Sequence, residues 1–229
     1  MPRQARVVVP GVGHHVVQRG NYRQAVFLEE EDYRVYLALL RKQARRHGLE
    51  VLGWCLMPNH VHLVVRPERE ESLSRAVGRT HFGYARYMNG KGGVNGHLWQ
   101  NRFYSCPLGQ RHFWRALRYV DQNPVRAGML ERAVEYAWSS AGVHVGREAV
   151  EREGGGLLNV AWWREASQWI DWGEALERSL PAEQVQEIRE RTRRGRPLAG
   201  EGLVARFEQL VGRRLRSLSQ VRAEEGEER

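Results

Sequence analysis

Two histidines separated by a single residue are the clearest local indication of chemistry in this sequence. His60 and His62 stand in an apolar segment, with Val61 between them, that is typical of a β-strand. Successive side chains of a strand point to opposite faces, so the two imidazoles share one face of the sheet. Two imidazoles on a rigid strand supply half of a divalent-metal site. The same pattern also suits a pair of hydrogen-bonded surface histidines.

A tyrosine and an asparagine form a second candidate pair. Tyr119 and Asn123 are four residues apart in a segment with helical periodicity, which puts the phenol and the amide on one helical face. Arg115 precedes Tyr119 by one turn on that face, and Arg126 follows just past the end of the helix. A tyrosine among basic groups is a candidate nucleophile, whereas a tyrosine without them is usually a packing residue.

The elements that would position these residues alternate between strand and helix. Strands are predicted at residues 14–19, 51–57, 60–65 and 98–106. The second and third form a hairpin with a tight turn at Pro58-Asn59, and helical periodicity fills the other two intervals. A third helix carries Tyr119 and is stopped by the proline that follows Asn123. The order β-α-β-β-α-β-α predicts an α+β fold, a split βαβ (ferredoxin/RRM-like) sandwich with a central antiparallel sheet covered by helices.

The composition of the chain changes near Gly146. Residues 147–156 mix charges with three consecutive glycines and are typical of a linker. We therefore predict a first, catalytic domain at 1–146, a linker at 147–156 and a helical, arginine-rich C-terminal extension at 157–229. The acidic end of that extension, residues 224–228, is expected to fray.

Charge and composition limit the class of protein. The 229 residues carry 36 Lys+Arg against 27 Asp+Glu, a net charge of +9, and all but two of the basic residues are arginine. A GC-rich genome would produce such an excess, and so would nucleic-acid binding, because guanidinium groups grip phosphates. No apolar run is long enough to span a bilayer. With only Cys55 and Cys106, a disulfide framework and a cysteine zinc site are excluded, so a soluble cytoplasmic protein is predicted.

Longer segments around the candidate residues resemble one family. Residues 57–65, Met-Pro-Asn-His-Val-His-Leu-Val-Val, resemble the HUH motif of the single-tyrosine transposases that act on single-stranded DNA. Residues 119–127, Tyr-Val-Asp-Gln-Asn-Pro-Val-Arg-Ala, resemble the nucleophile motif of the REP-associated tyrosine transposases. Further matching segments are residues 15–21, 98–103, 138–140 and 194–198. The resemblance is good over about residues 10 to 145 and patchy over the remainder. Asp121 and Gln122 lie in a variable stretch of the nucleophile motif, so the resemblance implies no chemical role for them.

The resemblance implies a metal-dependent endonuclease and strand transferase. His60 and His62 would ligate Mg²⁺ or Mn²⁺ together with the amide of Asn123, and Tyr119 would attack the scissile phosphate. The products would be a 5′-phosphotyrosyl enzyme and a free 3′-OH. Arg115 or the metal would help to deprotonate Tyr119, and no general base is assigned.

Two other functions stay open. The same sandwich would serve as a catalytically idle hairpin-DNA-binding protein or repressor. A zinc hydrolase built on His60 and His62 would need another histidine or carboxylate ligand.

The predicted partner is single-stranded, hairpin-bearing DNA, bound by a monomer or homodimer in the cytoplasm, at the nucleoid and away from membranes. Trp99 and Phe103 could stack on bases, although strand aromatics more often pack in a core. Residues 189–216 hold nine arginines and three glutamates, and the Gly195-Arg196-Pro197 element there resembles arms that enter an A·T-rich minor groove. The predicted DNA contacts are Arg19, Asn21, Arg23, Arg102, Arg115, Arg126, Arg193, Arg194 and Arg196.

Overall fold

The computed structural model of the chain describes residues 5–147 and 156–215. The strands in this part are β1 (His14–Arg19), β2 (Leu49–Met57), β3 (His60–Pro67) and β4 (Tyr104–Pro107). They form one antiparallel sheet in the order β2-β3-β1-β4, with β1 and β3 at its centre. This order confirms the predicted α+β fold with a central antiparallel sheet. Most of the predicted linker and the acidic end of the extension lie outside the described residues.

Helices cover both faces of the sheet. Within the described ranges they are α1 (Glu30–His47), α2 (Glu70–Gly92), α3 (Gln110–Asp121), α4 (Asn123–Arg126), α5 (Ala141–His144), α6 (Val160–Ala166), α7 (Trp172–Glu177), α8 (Ala182–Arg194) and α9 (Glu201–Val211). None of these described helices combines the length and the apolar character needed to cross a bilayer.

The first helix begins and ends where its sequence favours a boundary. Its first turn is acidic, which suits the positive end of the helix dipole. Gly48 follows its last residue with φ of 62°, a left-handed conformation that glycine adopts without strain. α1 packs beside α2 on one face of the sheet, and Tyr36, Trp54 and Tyr84 are fully buried between these layers.

The other face of the sheet carries α3, the helix that holds Tyr119. Gly53 lies at a register shift between β2 and β3, and a Cβ atom there would stand 2.6 Å from Leu117 of α3. The missing side chain thus lets the helix lie close against the sheet. α3 ends at Asp121, and after Gln122 the short helix α4 begins at Asn123 with Pro124 in its first turn. The predicted end of the helix at the proline is therefore a bend between two helices.

The C-terminal extension packs in the same core as α3. Trp163, Trp172 and Ile188 of the extension are buried in one cluster with Leu117 and Val120 of α3. α8 lies along β4, the edge strand of the sheet, and also contacts β1. The extension therefore buries apolar surface of the part of the chain that precedes it, and the boundaries predicted for the two parts stay a prediction.

The fourth strand is shorter than residues 98–106, the range predicted for it. It begins only at Tyr104, and the residues before it pair with the sheet through an isolated bridge between Trp99 and Gly20. Leu98 and Phe103 are nevertheless buried in the first core, against which Trp99 packs. The apolar pattern of residues 98–103 therefore comes from loop side chains that fill a core. This agrees with the packing role that the sequence analysis favoured for Trp99 and Phe103.

The Gly195-Arg196-Pro197 element does not form a free arm, and its entry into a minor groove stays a prediction. Leu198, which follows it, forms a parallel bridge with Leu108. Its backbone N–H donates to the Pro107 carbonyl at 2.9 Å, and its carbonyl accepts from the Gly109 N–H at 2.8 Å. Pro197 and Leu198 are buried, because this segment extends the edge of the sheet beside β4.

Two buried histidines away from the candidate site make the fold sensitive to acid. Burial lowers the pKa of His14 from 6.5 to about 4 and that of His81 to about 3. Between pH 6.5 and 4 the unfolded chain therefore binds protons that the folded chain does not. We expect the free energy of unfolding to fall over this range by up to about 1.4 kcal/mol per pH unit for each residue.

Urea unfolding at about pH 7, 6 and 5 measures this slope. The substitution His81→Phe should reduce it, whereas His97→Asn, at an exposed position, should not. A free energy of unfolding that is constant from pH 7 to 5 would contradict the expectation.

Candidate active site

A cavity of about 550 Å³ lies where β1, β3, α3, α4 and α8 meet. All four residues predicted to carry chemistry line it: His60, His62, Tyr119 and Asn123. The strand spacing and the helix spacing recognised in the sequence therefore converge on one space. Tyr119 is buried to 3% exposure and places its ring edge-on to His62, with 5.5 Å between ring centroids.

Each histidine of the pair has one ring nitrogen occupied by a neighbour. His60 Nδ1 lies 2.6 Å from Asn59 Oδ1, and His62 Nδ1 lies 3.1 Å from Nε2 of His15. Hydrogens on both Nδ1 atoms satisfy these bonds and leave the two Nε2 lone pairs free. Free Nε2 atoms on neighbouring strand positions are what a metal site requires of a histidine pair.

Burial keeps the two rings uncharged. It lowers the pKa of His60 from 6.5 to about 4, with Arg19 and Arg189 as further causes. It lowers the pKa of His62 well below 6.5, and the neighbouring His60 and His15 act in the same direction. A neutral imidazole is the form that binds a metal ion, so both rings are in the ligand form at neutral pH.

His15 is a site residue that the sequence analysis did not identify as one. Its ring stacks on His62 with 5.3 Å between centroids and 4° between planes. Its Nδ1 lies 2.8 Å from Thr192 Oγ1 on α8. Because both ring nitrogens have partners, His15 orients His62 and is not itself placed as a ligand. Alternation along β1 puts His15 on the face of Arg19, but no pattern in the sequence links it to Thr192.

Two guanidinium groups surround the tyrosine. Arg126 Cζ lies 4.1 Å from the centroid of the Tyr119 ring, and Arg126 Nη2 donates to the Tyr119 carbonyl at 2.7 Å. Arg189 Nε of α8 lies 3.4 Å from the Tyr119 hydroxyl oxygen. The Nε and Nη1 atoms of Arg126 are buried without a protein partner among the described residues. Burial also lowers the pKa of Arg126, so an anionic ligand in the cavity would satisfy a costly group.

The side chain of Asn123 is oriented by the last turn of α3. Its Nδ2 donates to the Tyr119 carbonyl at 3.2 Å and to the Val120 carbonyl at 3.4 Å. These hydrogen bonds occupy the amide nitrogen, so Oδ1 is the atom that remains available as a metal ligand. Tyrosine and asparagine are thus tied together by one turn of backbone.

The arginine predicted one turn before the tyrosine does not join this site. Arg115 Nη2 donates to Glu187 Oε2 at 2.7 Å and so joins α3 to α8, and it is not a wall residue of the cavity. Its predicted help in deprotonating Tyr119 is therefore wrong. Arg126 and Arg189 are the cations beside the phenol, because the bend after α3 and the packing of α8 bring them there.

The other predicted DNA contacts fall into three places. Arg19 and Arg193 line the cavity. Asn21 and Arg23 lie on the short turn after β1. Arg102, Arg194 and Arg196 line a neighbouring groove.

A buried carboxylate anchors the tyrosine helix, although the sequence analysis gave it no role. Asp121 accepts hydrogen bonds from Ser140 Oγ at 2.7 Å, His144 Nδ1 at 2.7 Å and Trp172 Nε1 at 2.9 Å. Next to it, Gln122 Nε2 donates to the Leu176 carbonyl at 2.9 Å. These partners come from α5 with the residue before it and from α7, so two segments hold the end of α3.

The donor set fits a divalent ion with open positions. It comprises two neutral imidazole nitrogens and one amide oxygen, which is a mixed nitrogen and oxygen set. The described residues contain no cluster of three or more His, Cys, Asp or Glu side chains suited to a metal. A closed structural zinc site is therefore not formed there, and the zinc hydrolase lacks the further ligand it requires.

The fold and this cavity define an α+β protein in which a histidine pair on a sheet faces a tyrosine on an adjoining helix. The chain belongs to the family described as "Transposase IS200 like", whose model matches residues 8–123. This confirms the single-tyrosine transposase family expected from the motifs. A comparison with curated proteins found no match.

One solved structure supports the same fold. A REP-associated tyrosine transposase, bound to a REP hairpin in its own structure, matches with a TM-score of 0.52 at 18% identity. The match covers 71% of this chain and 91% of that one. A Deinococcus radiodurans protein assigned as a transposase matches at 20% identity over 53% of this chain and 97% of its own, with a TM-score of 0.38. The chain is thus similar in fold to a REP-associated tyrosine transposase.

Proposed function

We propose that this transposase cleaves and rejoins single-stranded, hairpin-bearing DNA through a covalent intermediate at Tyr119. The observation that carries the proposal is the shared cavity, in which His60, His62 and Asn123 offer free ligand atoms beside a tyrosine hydroxyl. Membership in the transposase family supports a DNA strand-transfer reaction. The hairpin bound by the structurally similar transposase supports a hairpin substrate.

His60, His62 and Asn123 would hold Mg²⁺ or Mn²⁺, which when bound polarises the scissile phosphate and neutralises its charge. The protein itself supplies rigid orientation. His15 fixes the ring of His62, and the hydrogen bond to Asn59 fixes that of His60. Because these partners lock both rings, the ligand atoms are placed before the substrate arrives.

Tyr119 would attack the phosphorus atom in line. Its oxygen forms the new bond to phosphorus, while the bond to the 3′-oxygen of the preceding nucleotide breaks and that oxygen leaves as a hydroxyl. Arg126 and Arg189 stabilise the negative charge on the phenolic oxygen as its proton departs. The buried N–H groups of Arg126 that have no partner among the described residues suit the oxygens of the same phosphate. Attack by a 3′-hydroxyl on the phosphotyrosine reverses these steps and rejoins strands.

The arrangement supports action in cis by a single chain. Tyr119 lies against His15 and His62 of its own chain, and Asp121 holds its helix there through His144 and Trp172. We propose that this catalytic unit acts on DNA as a monomer or homodimer in the cytoplasm, at the nucleoid, with Tyr119 and the histidine pair supplied by the same chain.

The test is an adduct assay with hairpin oligonucleotides drawn from the DNA that flanks the protein's own gene. With Mg²⁺ or Mn²⁺, a 3′-end label should move to the protein and a 5′-end label should stay on a shorter free strand. Addition of EDTA should abolish both changes. Tight hairpin binding without an adduct under any divalent metal would refute the proposal and support the catalytically idle DNA-binding protein.

A further inference from the structure

A row of buried hydrogen bonds links the candidate site to the C-terminal extension. His62 Nδ1 lies 3.1 Å from His15 Nε2, and His15 Nδ1 lies 2.8 Å from Thr192 Oγ1 on α8. The row ends at Cys106 on β4, whose Sγ lies 3.3 Å from the same Thr192 oxygen. None of these four side chains is more than 4% exposed. We call this row the buried relay. Polar groups at such a depth need partners, so each hydrogen bond in the relay constrains the next one.

The hydrogens of the buried relay can be arranged in two ways, because a neutral imidazole donates through one ring nitrogen and accepts through the other. In the first arrangement His62 Nδ1 donates to His15, and His15 Nδ1 donates to Thr192. The hydroxyl of Thr192 then donates to the sulfur of Cys106. The second arrangement reverses every donor and acceptor. Only the first leaves His62 Nε2 with the lone pair that a metal ion requires.

The charge of the cavity favours the first arrangement. Among the described residues that line the cavity with His62 there are four arginines and no aspartate or glutamate. Positive charge in the cavity favours a lone pair on the ring nitrogen that points toward it and disfavours an N–H group there. The four arginines are Arg19, Arg126, Arg189 and Arg193.

Thr192 supplies the acceptor that the first arrangement needs. Its hydroxyl oxygen is the partner of His15 Nδ1, and a side chain of the same shape without an oxygen would leave that N–H group buried and unpaired. Reversal of the relay would leave a lone pair at the same place, and buried acceptors without a partner are less rare than buried N–H groups without one. Removal of the hydroxyl therefore favours the second arrangement, in which His62 is not a ligand.

The other histidine of the pair does not depend on the buried relay. His60 Nδ1 lies 2.6 Å from Asn59 Oδ1, and Asn59 Nδ2 donates to the Arg23 carbonyl at 3.2 Å. Because the amide nitrogen of Asn59 has its own acceptor, its oxygen faces His60 and keeps the hydrogen on Nδ1. The two histidines are thus prepared by separate parts of the chain, and a change at Thr192 should affect His62 alone.

We propose that Thr192 is a positioning residue for the metal ion, because through His15 it holds His62 in the tautomer whose Nε2 can bind. The inference rests on the proposed function, in which His62 is one of the metal ligands. It gives α8 of the C-terminal extension a part in preparing a ligand on β3, although Thr192 acts on the ion only through His15.

The tautomers can be measured directly in the protein without metal or DNA. Long-range ¹H–¹⁵N correlation spectra distinguish a ring nitrogen that carries hydrogen from one with a lone pair, and His60→Gln and His62→Gln assign the two rings. In the wild type both rings should carry their hydrogen on Nδ1. In Thr192→Val the hydrogen of His62 should move to Nε2, whereas His60 should be unchanged. Thr192→Ser, which keeps the hydroxyl, should restore the wild-type spectrum.

Metal affinity gives a second readout that does not depend on DNA cleavage. Electron paramagnetic resonance measures free Mn²⁺ during a titration of the protein. Thr192→Val should weaken Mn²⁺ binding by about 10- to 100-fold, the usual effect of removing an outer partner of a ligating histidine, and Thr192→Ser should restore it.

Thr80→Val is the matched control for both measurements. Thr80 is fully buried on α2, its hydroxyl donates to the Ala76 carbonyl at 2.9 Å, and it does not line the cavity. The variant loses a buried hydroxyl of the same kind, but both tautomers and the Mn²⁺ affinity should stay as in the wild type.

Three results would each overturn the inference: a hydrogen on Nε2 of His62 in the wild type, an unchanged His62 tautomer in Thr192→Val, or an unchanged Mn²⁺ affinity in that variant. If Thr192→Val does not fold, Thr192→Ala takes its place. Failure of the inference is distinguishable from failure of the proposed function. A wild-type adduct together with an unchanged tautomer in Thr192→Val refutes the positioning role alone. The expected change of tautomer in a protein that forms no adduct refutes the chemistry alone.

Discussion

Replacement of Tyr119 by phenylalanine is expected to abolish the covalent protein–DNA adduct, with a loss of at least about four orders of magnitude in rate. The substitution removes only the attacking oxygen. The ring keeps its contacts with His62 and Arg126, so the fold and the affinity for the hairpin should be retained. Denaturing gel electrophoresis with a 3′-labelled hairpin measures the adduct, and anisotropy measures binding.

Tyr22→Phe is the matched control for this experiment, since Tyr22 is 91% exposed and lies outside the cavity. It should form the adduct at the wild-type rate. A persistent adduct in Tyr119→Phe would mean that another residue is the nucleophile. Mixing Tyr119→Phe with His62→Ala adds a test of action in cis, because restored activity would require one chain's tyrosine to reach the partner's histidines.

Replacement of Asp121 by alanine is expected to lower the free energy of unfolding by about 3 to 5 kcal/mol. The change leaves the donors of Ser140, His144 and Trp172 without their acceptor in a fully buried position. For a chain of this size such a loss lowers the melting temperature by roughly 6 to 20 °C. Differential scanning calorimetry and urea unfolding measure the effect.

Two further variants make this result specific. Glu131→Ala removes an exposed carboxylate and should change the free energy of unfolding by no more than about 0.5 kcal/mol. Trp172→Phe removes one of the three donors and keeps most of the buried ring, so a loss of about 1.5 to 3 kcal/mol is expected. An Asp121→Ala protein as stable as the wild type would show that the carboxylate does not anchor α3.

The four residues that meet in the cavity could be picked out in the sequence because each pair is local. The single residue between His60 and His62, and the three between Tyr119 and Asn123, fix which side chains share a face of one strand or one helix. The antiparallel sheet followed from the same periodicities. Local spacing does not say which helix covers the pair of histidines, and the family motifs supplied that connection.

The surroundings of the site could not be predicted in this way. Thr192 and Arg189 reach His15 and Tyr119 across 177 and 70 residues of sequence. Contacts at such separations depend on how α8 packs against β4. The spacing of residues in the sequence does not predict that packing. The position of Arg115 on the helix suggested a contact with Tyr119, but its guanidinium donates to Glu187 of α8 instead. Local spacing can thus predict a contact that packing prevents.

The Gly195-Arg196-Pro197 element shows how composition can mislead. Its residue types are those of a solvent-exposed arm, but Leu198 behind them is buried at the edge of the sheet. Apolar burial and two backbone hydrogen bonds determine its position. Arg193 and Arg194 before the element are exposed, whereas Arg196 within it is half-buried.

The hydrogen bonds from His62 through His15 to Thr192 have a consequence for how the protein is made. During synthesis the histidine pair and Tyr119 leave the ribosome well before α8 does. A nascent chain in that interval has Tyr119 without the helix that holds His15 on His62 and places Arg189 at the phenol. The cavity that we propose as the cleavage site is therefore completed only near the end of translation, and we expect no cut in DNA before α8 is in place.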